Sequence, residues 1–304
     1  MDKKNISSLE NIVSNNTDHV KIDNEKIKTV KEEEKEKQNK QKSLIYSTKV
    51  TCPVCDNIFK ATTVKSSAYR MINKDSDFFI RYSLINPYFY DVWICDSCGY
   101  SAMKSDFNTL RSIEIDQVYK LITPKWRGRT YPEIYDVHIA IERYKLSLLN
   151  YVIINAKSSK KAINCLKLAW MYRLLETESA KEMELKYLKQ ALEGLSDAYY
   201  GEAFPIYGMD KYNIMYLIGE LYRRTGHEEN SSIWFSNVIT TPNVKENLKQ
   251  LARDMKDLIK VNDAAKAKSI LLDTTNSLNK SSQGNLDEVK QTKKSGFISK
   301  LFKR

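Results

Sequence analysis

Thr51-Cys52-Pro53-Val54-Cys55-Asp56 and Ile94-Cys95-Asp96-Ser97-Cys98-Gly99 are the two stretches on which the fold turns. Each sets two thiols three positions apart. In a tight turn that spacing points both sulfurs at one ion while backbone amides point at the sulfurs. Two such turns complete a tetrahedron of four thiolates. Pro53 stiffens the first turn, and Gly99 supplies the permissive backbone by which the chain leaves the second. Strand-like runs flank both knuckles, 44–50 and 58–64 around the first and 90–94 and 100–103 around the second. The pattern is that of a small β-rich, zinc-ribbon-like domain over residues 44–110, with two hairpins facing each other across a metal.

A single CxxC can also be a thioredoxin-like redox pair, but that motif opens a helix, and neither copy here precedes a helical pattern. An iron–sulfur cluster accepts the same four thiolates. A catalytic zinc keeps an open coordination position, which four cysteines would fill. The reading is therefore one structural Zn²⁺ held by Cys52, Cys55, Cys95 and Cys98.

About forty residues separate the knuckles, and they are crowded with aromatics, Arg and Asp. Arg70, Asp75, Asp77, Phe78, Tyr82, Asn86, Pro87, Tyr90 and the Cys95 knuckle follow the order R-x-x-x-x-D-x-D-F-x-x-x-Y-x-x-x-N-P-x-x-Y and then CxxCGY. On these residues the chain resembles the uncharacterised bacterial family catalogued as domain of unknown function 2225, over roughly residues 48–260. The resemblance implies a metal-binding head and a helical remainder, and no known activity. Within this insert, one reading packs Phe78, Tyr82 and Tyr90 into a small core with Asp77 and Arg81 as an ion pair. The other exposes Arg81, Tyr82, Asn86 and Tyr88 as a recognition patch that stacks bases or anchors a peptide.

After a connecting segment at 111–134 the pattern becomes helical, over 135–272. Ala162, Cys165, Leu166, Ala169, Trp170 and Arg173 fall at three- and four-residue steps, as do Leu188, Ala191, Leu192, Leu195 and Tyr199, and then Val244, Leu248, Leu251, Ala252, Met255, Leu258 and Ile259. Ile218-Gly219, Tyr222, Gly226, Ser231, Phe235 and Pro242 are similar to a tetratricopeptide repeat: a small residue where two helices touch, a turn glycine, a large residue on the second helix. The alternative is an irregular helical bundle. The fold class expected is α+β, mainly α: the zinc-ribbon-like domain followed by an antiparallel, tetratricopeptide-like helical array, with disordered termini. Cys165 sits on an apolar stripe and reads as a small buried hydrophobe.

Residues 1–43 have no aromatic side chain and alternate in charge, which predicts disorder, with a frayed helix as the alternative; 273–292 read as a polar linker. The formal charge is +11, and residues 263–304 alone hold nine Lys/Arg against four Asp/Glu, nearly half of the excess. Basicity is thus weak evidence for a nucleic-acid site in the folded part. The basic amphipathic tail at 293–304 places Phe297, Ile298, Leu301 and Phe302 on one helical face, as a candidate anchor for weak peripheral contact with anionic membrane or for docking. No stretch is long and apolar enough for a transmembrane segment, and the start lacks the apolar run of a secretory signal. A cytoplasmic, reducing location follows, in which paired cysteines are metal ligands more often than disulfides. No phosphate loop, dinucleotide fingerprint or nucleophile elbow is present. The expectation is a non-catalytic adaptor or scaffold that binds protein or peptide; the alternatives are a nucleic-acid-binding zinc ribbon and an enzyme with an unrecognised site.

Overall fold

The structure, a computed structural model, describes residues 35–262. Expectations for 1–34, the linker at 273–292 and the tail with Phe297, Ile298, Leu301 and Phe302 lie outside the described residues. At the end of the N-terminal segment the helical alternative holds: α1 covers 35–43, where Gln41 Nε2 donates to the Leu84 carbonyl at 2.9 Å and Lys42 pairs with Glu133 at 3.1 Å. Long-range polar contacts supply what the apolar-poor sequence lacks.

Three antiparallel two-stranded sheets follow. β1 (Ile45–Thr51) pairs with β2 (Ile58–Val64), Ile45 opposite Val64 and Thr51 opposite Ile58. β3 (Met71–Lys74) pairs with β4 (Ile80–Tyr82) inside the insert, and β5 (Val92–Ile94) pairs with β6 (Ser101–Met103). The helices are α2 (Ser112–Leu121), α3 (Val137–Ile153), α4 (Ser158–Arg173), α5 (Glu178–Gly201), α6 (Lys211–Arg224), α7 (Glu228–Thr240) and α8 over 246–262. The architecture is α+β and mainly α. The connecting segment at 111–134 contains α2, where the Glu114 carboxylate accepts from Arg111 N at 2.8 Å. Side-chain oxygens of Asp136, Thr177 and Asp210 cap α3, α5 and α6 by accepting from Ile139 N, Ala180 N and Asn213 N.

The chain divides into two compact units between Tyr207 and Gly208, not at the edge of the four-cysteine segment. In the first unit α3 lies against both strands of the second cysteine hairpin. Asn150 Oδ1 accepts from Ser101 N at 3.2 Å, Tyr151 OH accepts from Met103 N at 3.0 Å, and the same hydroxyl donates to Asp106 at 2.7 Å. These side chains satisfy edge amides of β6 that would otherwise be buried without a partner. α4 packs between α3 and α5, and Gly194 of α5 sits so close to Ala162 that a Cβ there would lie 3.0 Å from it. In the second unit Gly219 meets Phe235 across the α6–α7 contact, where an added Cβ would stand 3.0 Å from the ring, and Ser231 Oγ donates to the Gly219 carbonyl at 2.8 Å. Gly226 makes the intervening turn with φ +83°. Those roles match the small residue, turn glycine and large residue read in the sequence. Among the described residues, no helix is long and apolar enough to cross a membrane.

Candidate metal centre

The two cysteine turns have the same hydrogen-bond pattern. The N–H of the first cysteine donates to the carbonyl five residues on (Cys52 to Asn57, 2.9 Å; Cys95 to Tyr100, 2.8 Å). The carbonyl of that cysteine accepts from the N–H four residues on (Asp56, 3.0 Å; Gly99, 3.0 Å). Both residues at the fifth position are left-handed, Asp56 at φ +55° and Gly99 at φ +77°. Each thiol pair is thereby turned towards the other. All four Sγ atoms lie within 4.8 Å of one another, and the closest pairs cross between the knuckles, Cys52 with Cys98 and Cys55 with Cys95, each at 3.6 Å.

Metal–sulfur bonds of about 2.3 Å in a regular tetrahedron put the sulfurs about 3.8 Å apart. The donor set fits a single ion of that kind. Val54 N donates to Cys52 Sγ at 3.4 Å, and Asn57 Nδ2 lies 3.9 Å from Cys95 Sγ and donates to Asp96 Oδ1 at 2.8 Å. Such donors delocalise thiolate charge and fix ligand orientation. Four sulfurs this close resist carrying four charges on their own. The hydrogen bond with Cys95 pushes Cys52 up, and the bond with Cys52 pushes Cys98 up, while Cys95 is held down because both thiols donate to it. A divalent cation removes that conflict by compensating the thiolates together. Cys52, Cys95 and Cys98 are buried and Cys55 is partly exposed; none of the five cysteines is in a disulfide. Cys165 is buried on α4, and burial pushes its thiol up to about 12.

The second knuckle is buttressed from outside. Trp126 Nε1 donates to the Asp96 carbonyl at 2.8 Å, and Thr123 Oγ1 donates to the Cys98 carbonyl at 3.1 Å. The Trp126 ring lies over Gly99, where a Cβ would come within 2.7 Å of it. Trp126, Thr123 and Asn57 were not singled out in the sequence. Asn57 stands two residues after Cys55, but Thr123 and Trp126 lie far along the chain from either knuckle and carry no local signal.

The insert is held by charge. Arg81 donates to both oxygens of Asp75 at 2.9 and 3.0 Å, so its partner is Asp75 and not the expected Asp77. Asp77 is fully buried and is clamped by α4: Arg173 Nη2 donates to it at 2.6 Å and Trp170 Nε1 at 3.0 Å. Arg173 also binds Asp75 at 2.9 Å and Glu184 at 2.7 Å. Burial alone would lower the Arg173 pKa, but the hydrogen bonds and charges of Asp77 and Glu184 hold it above its usual value. Burial would likewise raise Asp75, and Arg81 and Arg173 hold it below the usual carboxylate range. Arg173 had been visible as the charged member of an apolar stripe.

The four residues read as a recognition patch are brought together, each engaged within the chain. Arg81 lies over the Phe79 ring while paired with Asp75. Tyr82 is half-buried between Tyr69 and Tyr88. Asn86 Oδ1 accepts from Tyr88 N at 3.1 Å and opens the short helix Pro87–Tyr90. Tyr88 packs on Phe79 and Trp170, and burial raises its pKa.

The chain belongs to the family described as "Uncharacterized protein conserved in bacteria (DUF2225)", whose pattern matches residues 45–259. The matched span holds all four clustered cysteines, the Arg173 clamp, the helices α2 to α7 and most of α8. Comparisons with curated proteins and with solved structures give no match.

Proposed function

We propose that this member of a family of unknown function is a non-catalytic, zinc-stabilised adaptor whose tetratricopeptide-like helices present surfaces to a protein or peptide partner. The closed donor set carries the reading: four cysteine sulfurs within 4.8 Å fill a tetrahedral ion and leave no position for a substrate or an activated water. Their spacing suits one ion, whereas a polynuclear iron–sulfur cluster would hold its thiolates farther apart around a larger core. The metal then serves the fold. Protein made in zinc medium should carry one zinc per chain, lost in the Cys52→Ser and Cys98→Ser variants; an iron chromophore, or no metal, would refute the assignment. The adaptor role is tested by co-purification from cells, with partners retained by the metal-loaded chain and not by a Cys98→Ser variant.

One observation favours the nucleic-acid reading. Lys49 and Lys60 stand directly opposite each other on the exposed face of β1–β2, a like-charge pairing that costs stability unless an anion lies between them. If phosphate backbone is that anion, affinity for single-stranded RNA or DNA falls steeply with salt and falls again in Lys49→Ala. A flat salt response favours the adaptor.

A further inference from the structure

A cleft of about 400 Å³ opens beside the second knuckle in the first unit. Its floor is Leu121 and Ile122 from the end of α2 and Leu146, Leu149 and Ile153 from α3. Leu121 is 48% and Leu149 52% exposed, so large apolar side chains face water there. The rim is Lys125, Arg127 and Arg129, and among the described residues no acidic side chain lines the cleft. Arg129 pairs with Glu142 at 2.9 Å, but Arg127 donates only to the carbonyls of Pro124 and Trp126, and Lys125 has no carboxylate partner among the described residues. An apolar floor with uncompensated cations at the mouth complements an amphipathic segment carrying acids beside its apolar anchors. The volume suits a few large side chains, being within the usual range of roughly 300–1,000 Å³ for small-ligand clefts.

The wall of the cleft is tied to the metal centre. Trp126 and Gly99 both line it, Trp126 donates to Asp96 O, and Thr123 donates to Cys98 O. Both acceptors are carbonyls of the turn that presents Cys95 and Cys98. A metal that fixes the turn fixes the wall.

We infer that this cleft docks an acidic, amphipathic peptide segment of a partner protein, and that docking requires the metal-loaded second knuckle. The inference rests on the protein-binding reading above and gives it a location. The test is selection of a displayed library of random twelve-residue peptides on the full, metal-loaded chain, with Leu149→Asp and the double substitution Lys125→Glu, Arg127→Glu as parallel baits. These positions are at the surface, and retained metal and circular dichroism check that the variants fold. Recovered peptides should carry large apolar residues flanked by Asp or Glu, bind each variant about tenfold or more weakly, and weaken with salt. Removing the metal should abolish binding. Trp126→Phe, which keeps the metal but loses the bond to Asp96, should weaken it about three- to tenfold. Peptides that bind every variant as they bind the wild type overturn the cleft and leave the protein-binding reading standing. A library that yields no binder overturns both. Self-association of the wild type in sedimentation, abolished by Leu149→Asp, would instead assign the cleft to a second copy of this chain.

Discussion

The two cysteine knuckles repeat one backbone turn in two different settings. Around the first, β1 and β2 are seven residues long and keep one face in water, and the left-handed position is filled by an aspartate. Around the second, β5 and β6 are three residues long and wholly buried against α3, and the same position is a glycine under a tryptophan ring. The turn is a local object, since thiol spacing and a left-handed residue suffice to make it. Which residue the turn tolerates is not local. Asp56 meets solvent and Gly99 meets Trp126.

The sharpest way to break this contrast is to remove the metal. Cysteine-rich sites of this kind contribute on the order of 10 kcal/mol of folding free energy in small modules. Chelation, or Cys98→Ser, should abolish hydrogen-exchange protection of the amides in 45–64, while the buried β5–β6 amides, held by Asn150 and Tyr151, keep part of theirs. Equal loss in both hairpins would mean that burial does not distinguish them.

The insert between the knuckles extends the comparison, because its clamp is ionic. Arg173→Ala removes the guanidinium that donates to the fully buried Asp77 and should cost about 3–5 kcal/mol in denaturant unfolding. Arg81→Ala breaks a partly exposed pair and should cost about 0–1 kcal/mol. Similar values for the two would show that the site relaxes or admits water.

Gly99→Ala sharpens the knuckle contrast directly. It adds a left-handed penalty of about 1–2 kcal/mol and a clash with Trp126 worth about 1–3 kcal/mol. Removing the ring in Gly99→Ala, Trp126→Ala should relieve the second part alone, a coupling readable in a double-mutant cycle.

Acid probes the same ionic clamp more gently. Because the folded pKa of Asp75 is depressed, its contribution is fully present above the unfolded carboxylate value of about 3.9 and is lost as pH falls through the lower folded value. The stability of Asp75→Asn should therefore fall less steeply than that of wild type over this acid range, as read from denaturation midpoints. The smallest effect is at the exposed knuckle: Asp56→Gly relieves a left-handed aspartate and should raise stability by no more than about 1 kcal/mol. A larger gain would mean that the first turn is strained beyond its φ.

Sequence alone determined the four cysteines and their turns and the apolar stripes of α4, α5 and α8, because thiol spacing, left-handed turns and helical periodicity are decided within a few residues. It paired Arg81 with Asp77, where the fold supplies Asp75. Tertiary structure alone decided that α3 shares a core with the second knuckle, that Trp126 excludes any side chain at Gly99, and that Arg173 reaches Asp77 across 96 positions of chain. A buried carboxylate will accept any arginine the fold delivers, and a helix stripe any complementary face. Those choices are made by the summed packing of the whole unit, so they leave no short-range mark in the residues that take part.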